Sequence, residues 1–118
     1  MSLPKPIGPY SIYREVGNFV FISGQIGIDP EKGVIPESIE EQTELVLKNI
    51  KMILESLNLN FDNVVKSTIF LKDMNDFQKV NEIYSKYFRE PYPARSTVEV
   101  SALPKNAKVE IEVIAFRG

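Results

Sequence analysis

Apolar and β-branched runs punctuated by turn residues mark the first elements of the chain. Tyr10 to Val16 and Phe19 to Ser23 read as two strands separated by Gly17-Asn18, a pair suited to the positive φ angles of a tight hairpin turn. Asp29-Pro30-Glu31-Lys32-Gly33 is turn chemistry. Beyond it, Ser38 and Glu41 stand at the spacing of a reciprocal capping box, which opens a helix. From there Val46, Ile50, Ile53 and Leu57, with Leu47 and Leu54 beside them, recur every three or four positions opposite Glu40, Glu44, Lys48, Lys51 and Glu55. This is an amphipathic helix of about 18 to 20 residues.

Asn63 to Lys72 is β-branched and bounded by polar residues, so it reads as a strand. Asp73 or Asn75 then caps a second helix in which Phe77, Val80, Tyr84 and Tyr87 or Phe88 share a face, and Pro91 and Pro93 stop it. Arg95 to Ser101 and Lys108 to Phe116 alternate with period two across a loop containing Leu103-Pro104-Lys105-Asn106. The element order is therefore β-β-α-β-α-β-β, an α+β arrangement with one sheet and two helices on one face. No linker or repeat interrupts it, so residues 1–118 read as a single domain.

Two helices cover only one face of such a sheet. Yet Phe19, Val20, Phe21 and Ile22 are apolar on both faces, as are Ile69, Phe70 and Leu71, and Val113, Ile114 and Phe116. An apolar sheet face left open invites association. The pattern predicts an oligomer that buries the helix-free face.

Composition narrows the chemistry. With 43% hydrophobic and 25% charged residues the chain has the balance of an ordinary globule, and it contains no Cys and no His. Disulfides, thiol nucleophiles, imidazole bases and nearly every zinc or iron site are thereby excluded. Catalysis would have to run on carboxylates, Arg, Lys, Tyr, Ser, Thr, backbone groups and water. The net charge is −2, and the 14 basic residues form no run that would attract nucleic acid. The start, MSLPKPIGPY, carries three prolines and no apolar core of a signal peptide, and no stretch is long and apolar enough to span a membrane. A cytoplasmic location is expected.

The last two strands carry the informative polar residues. Alternation sets Arg95, Thr97 and Glu99 against Ser96, Val98 and Val100, and Glu110 and Glu112 against Val109, Ile111 and Val113. If the valines and Ile111 face the helices, then Arg95, Thr97, Glu110 and Glu112 all point to the face buried by association. Charges in such a place are paired or made useful. A structural ion pair between strands or subunits and a ligand site both fit this pattern.

Pro93-Ala94-Arg95-Ser96, Val98, Ser101, Leu103 and Val109-Glu110-Ile111 closely resemble the C-terminal signature of the Rid family, once called YjgF, of reactive-intermediate deaminases. Ile7-Gly8-Pro9-Tyr10, Ser23-Gly24-Gln25-Ile26, the stretch Phe70 to Phe77, and Val80-Asn81 with Tyr84 extend the resemblance over almost the whole chain. It implies a chorismate-mutase-like α+β fold and a homotrimer whose sheets form a central β-barrel, with ligand sites in the clefts between subunits. It also implies cofactor-free and metal-free hydrolysis of 2-imino or 2-enamino acids, such as those from 2-aminoacrylate, to a 2-keto acid and ammonia.

Under that resemblance Arg95 clamps the substrate carboxylate with its planar fork, for which Lys would be a poor replacement. Glu110 holds and polarises the attacking water. Thr97, where many relatives carry Cys or Ser, offers its hydroxyl or amide to the carboxylate. Gly24 lets a backbone amide approach the ligand, Tyr10 walls the pocket, and Asn81 lies on the ligand side. Each also has a plain structural reading: a strand filler for Thr97, a turn glycine, a core tyrosine, a helix asparagine bonded to backbone. A non-catalytic module that binds small keto or amino acids is the alternative, since it too needs Arg95. A ribonuclease is disfavoured in a chain with no His and no basic patch.

Overall fold

The computed structural model describes residues 3–118. Its strands are β1 (Tyr13–Val16), β2 (Phe19–Ile26), β3 (Val64–Leu71), β4 (Ala94–Glu99) and β5 (Val109–Phe116), and its helices are α1 (Ile39–Ser56) and α2 (Phe77–Tyr84). The order matches the sequence pattern, with short 3-10 turns added at Phe61–Asn63, Met74–Asp76 and Pro104–Asn106. One sheet runs β1-β2-β5-β3-β4, antiparallel throughout except for the parallel pair β3-β4.

The hairpin joins Val16 to Phe19 through Gly17 and Asn18, and of these two only Gly17 takes a positive φ, 59°. Glycine at the first central position is the pattern of a type II′ turn, whose twist suits flanking strands. Tyr10 is not in β1. The strand starts three residues later, because the chain bends at Gly8, where the Tyr10 amide donates to the Gly8 carbonyl at 2.9 Å. β2 in turn runs past Ser23 to Ile26, and a bulge between Ile22 and Gln25 inserts the extra residue that flips its parity.

α1 begins as the cap predicts. Ser38 Oγ accepts from the Glu41 amide at 3.1 Å, while the Glu41 carboxylate takes the Ser38 hydroxyl at 3.2 Å rather than a backbone N–H. Val46, Leu47, Ile50, Ile53 and Leu54 are fully buried against Val20, Ile69, Leu71, Val109 and Ile111 of the sheet. Each such side chain contributes roughly 1.5–3 kcal/mol by leaving water. Polar groups inside this layer also tie elements together: Gln42 donates to the Pro36 carbonyl and accepts from the Lys108 amide, both at 2.8 Å.

α2 is shorter than the pattern suggests, ending at Tyr84, ahead of Tyr87 and Phe88 and well before Pro91. Isolated turns follow, with the Lys86 amide on the Ile83 carbonyl and the Tyr87 amide on the Tyr84 carbonyl. Asp73 caps the Met74–Asp76 turn through the Asn75 amide at 2.9 Å, and no side chain caps α2 itself. Both helices contact the same face of the sheet, which leaves the other uncovered within one chain. There Phe19, Phe21, Val98 and Phe116 remain 43, 42, 43 and 36% exposed. Among the described residues no helix is long and apolar enough to cross a membrane.

Candidate functional site

The structure divides the six residues singled out in the sequence between the two faces of the sheet. Arg95 sits on β4 directly opposite Ser67 of β3, and Ser67 is fully buried toward the helices. Arg95 and Thr97 therefore point to the helix-covered side, as does Glu99, whose carboxylate accepts from the Met74 amide at 2.7 Å. This corrects the expectation that Arg95 and Thr97 share a face with Glu110 and Glu112. That expectation took aliphatic side chains to face the helices. Val98 instead faces the apolar open side, so hydrophobicity does not distinguish the faces at β4.

α2 supplies the surroundings of Arg95. Phe77, Asn81 and Tyr84, spaced four and three residues apart, share one helix face. The guanidinium carbon lies 4.9 Å from the Tyr84 ring centroid and 5.6 Å from that of Phe77, and Arg95 Nη1 donates to Asn81 Oδ1 at 2.6 Å. Among the described residues Arg95 forms no ion pair with a carboxylate. Its charge faces an open pocket of about 460 Å³ lined by Asn81, Tyr84, Ser85, Tyr92, Pro93 and Arg95 itself. Beneath it, Tyr84 Oη and Ser67 Oγ form a buried hydrogen bond of 2.7 Å. Burial pushes the Tyr84 phenol up, against lowering by the Ser67 bond and the Arg95 charge. Two residues along, the buried Thr97 Oγ1 has no partner among the described residues.

Glu110 occupies the other face, on β5 between Ile26 of β2 and Phe70 of β3. Its carboxyl fills the space that Gly24 leaves: a Cβ on Gly24 would lie 2.8 Å from the Glu110 carboxyl carbon and 3.0 Å from its Cγ. A side chain at position 24 would thus displace the Glu110 carboxyl of the same chain, a constraint present before any ligand approaches. Burial, and then the neighbouring charge of Glu112, hold the Glu110 carboxyl above the usual carboxylate range. Gly24 and Tyr10 line a cleft of about 190 Å³ with Ile7, Ile26 and Lys105. Tyr10 is 45% exposed, so it is not a core tyrosine, and its hydroxyl accepts from the Ile7 amide at 3.2 Å.

Arg95, Asn81 and Thr97 thus form one group and Glu110, Gly24 and Tyr10 another, with the sheet between them. A roomier concavity of about 630 Å³ lies between α1 and α2 and contains none of the six; it is edged by surface ion pairs such as Lys79–Glu40 at 3.9 Å. Such exposed pairs contribute little.

The family model described as endoribonuclease L-PSP matches residues 1–117. The chain belongs to this family. It is 47% identical to the mouse 2-iminobutanoate/2-iminopropanoate deaminase over 116 residues, covering 98% of this chain and 86% of that one. Among solved structures it is similar to a protein of the conserved Rid family from Yersinia pestis, with a TM-score of 0.93, 50% identity and coverage of 97% of this chain and 92% of that one. It is equally similar in fold to E. coli TdcF with bound serine, at a TM-score of 0.93 and 43% identity over 98% of this chain and 94% of that one. The Rid resemblance carried by the sequence motifs is therefore a family membership.

Sequence reasoning missed Phe77, Tyr84, Ser67 and Tyr92 as the setting of Arg95. The signal was present for three of them: Phe77 and Tyr84 stand on one helix face with Asn81 between, and Ser67 is a polar residue at a buried parity of an apolar strand.

Proposed function

We propose that this protein hydrolyses 2-imino and 2-enamino acids to 2-keto acids and ammonia, at sites that two copies of the chain complete together. The observation that carries the proposal is the Arg95 guanidinium. It is held by a neutral amide and two ring faces, without a carboxylate partner among the described residues, at the mouth of a pocket. A cation kept in place but unneutralised is suited to a ligand carboxylate, which its planar fork takes bidentately. The relative named as an iminobutanoate deaminase supports the choice of substrate class.

In this mechanism Arg95 orients the substrate by its carboxylate, with Thr97 offering a further donor. An enamine first tautomerises to the imine, C3 gaining a proton as nitrogen loses one; Glu110 in its ionised form then accepts a proton from water as the oxygen attacks the imine carbon, and the proton passes to nitrogen. Collapse of the carbinolamine breaks the C–N bond, leaving the ketone and releasing ammonia, so no redox partner is needed. Because Arg95 and Glu110 lie on opposite faces of one sheet, each active site takes Arg95 from one copy and Glu110 from its neighbour. A trimer packed through the helix-free faces, with its exposed Phe19, Phe21, Val98 and Phe116, supplies that arrangement.

The test couples the purified protein to a dehydratase that releases 2-aminoacrylate and follows pyruvate. Faster pyruvate formation than in buffer is the expected result. An assembled protein that leaves the rate unchanged would leave only a carboxylate-binding module. A ribonuclease reading, despite the family description, finds no support in a chain with no His and a net charge of −2.

A further inference from the structure

We infer that Tyr84 is a positioning residue for Arg95, its ring acting as the platform on which the guanidinium lies and its hydroxyl fixed from below by Ser67. The inference rests on the carboxylate-binding role proposed for Arg95 and extends it to residues that act through Arg95.

Arg95 is on an edge strand, paired only with β3, where a long side chain with four rotatable bonds would ordinarily sweep a wide arc. Three contacts remove that freedom. Asn81 fixes one end of the fork at 2.6 Å, Tyr84 lies beneath it at 4.9 Å and Phe77 flanks it at 5.6 Å. Tyr84 is the most firmly held of the three. Its ring stacks on Phe88 with centroids 4.1 Å apart and planes at 17°, and its hydroxyl is bonded to Ser67 at 2.7 Å. Ser67 is itself the residue directly across from Arg95 in the β3-β4 register. The platform and the side chain it carries are therefore referenced to the same pair of strand positions. Both rings are neutral. They attract the guanidinium through their π faces without competing for its N–H donors, as a carboxylate would. Preorganising a binding group in this way reduces what a ligand must spend on ordering it.

The experiment measures binding of 2-oxobutanoate by titration calorimetry on the assembled protein, alongside KM and kcat in the dehydratase-coupled assay. Tyr84→Leu, which removes the ring, should weaken binding by roughly tenfold. KM should rise in parallel with kcat nearly unchanged, as expected when uniform binding is lost. Tyr84→Phe keeps the platform and loses only the Ser67 bond, so binding within about threefold of the parent chain is expected, and Ser67→Ala should behave alike. Binding by Tyr84→Leu at the parental affinity would overturn the inference, and so would a Tyr84→Phe chain as impaired as Tyr84→Leu. Should Tyr84→Leu not fold, Tyr84→Met decides in its place: a several-fold loss of binding supports the platform and binding at the parental affinity refutes it. Because calorimetry needs no turnover, a parent chain that binds 2-oxobutanoate yet hydrolyses nothing would overturn the proposed activity while leaving the Tyr84 platform standing.

Discussion

Arg95 and Glu110 are held by opposite means. The guanidinium stands at the edge of the sheet, on its last strand, and is kept in place by weak neutral partners that leave its donors free. The carboxylate stands in the middle of the sheet, wedged against a backbone that has no side chain at Gly24 to make way for it. One is oriented by attraction and open to a pocket; the other is fixed by packing, and its charge is disfavoured by burial. A group that must bind a carboxylate gains from accessibility. A group that must take a proton gains from a raised pKa, and here the same partial burial that restrains Glu110 supplies it.

The comparison is broken most directly at Arg95. Arg95→Ala should lower kcat/KM by a factor on the order of 10² to 10⁴, the loss of two charge-assisted hydrogen bonds, with the assembly unchanged by light scattering. If the assembly falls apart instead, Arg95 is a structural link between copies. Division of the site between chains is tested next. Glu110→Gln alone should be similarly impaired, but mixing it with Arg95→Ala and reassembling the subunits should restore about a quarter of the parental rate, the chance that a random interface receives both intact residues. Zero recovery would put both groups in a single chain's site.

Gly24→Ala sharpens the packing side of the contrast. Its methyl group cannot coexist with the Glu110 carboxyl where it now lies, so kcat should fall on the order of 10²-fold through misplacement alone, while 2-oxobutanoate binding at Arg95 persists. A smaller effect is expected in the pH profile. In the proposed role Glu110 acts in its ionised form, and its pKa is raised, so the acid limb of kcat should lie above the ordinary glutamate range, and Glu112→Gln should move it down. The linked effect on stability has a definite sign. A carboxyl with a raised folded-state pKa favours the fold while protonated; that contribution is complete below the unfolded pKa and is lost as pH rises through the folded one. Glu110→Gln should therefore unfold at a higher urea concentration than the parent chain at pH 7. The smallest change is expected from Thr97→Val, which removes a buried hydroxyl with no partner among the described residues: a rise of a few-fold in KM and no loss of thermal stability.

Periodicity carried most of the fold. α1 appears where its apolar stripe and Ser38 cap put it, and all five strands lie where the sequence marks them, β4 and β5 by alternation and β3 by its β-branched run, displaced by a few residues at their ends. The errors share a cause. Hydrophobic pattern assigns a strand's faces only when one face is wet, and here both are apolar, so β4 was legible as a strand while the side to which Arg95 points was not. α2 stopped early for a different reason: Tyr87 and Phe88 continue the apolar pattern but do so in turns, packing on Phe61 with centroids 5.5 and 4.8 Å away. As for the candidate site, the motifs put Arg95 and Glu110 forward together, but a pattern with period two contains no information that the sheet separates them.

The strand order has a bearing on how the protein is made. β5, the last of the five strands to leave the ribosome, lies between β2 and β3, which share no hydrogen bonds with each other. Until it arrives, the hairpin and the β3-α2-β4 unit each present an open sheet edge beside an apolar layer that nothing closes, the condition under which nascent chains aggregate or are captured by chaperones. Val109, Ile111, Val113 and Ala115 then fill the centre of the core in one step. A chain that lacks β5 thus has its sheet split into two pieces that share no backbone hydrogen bonds, with only the packing of α1 on α2 between them.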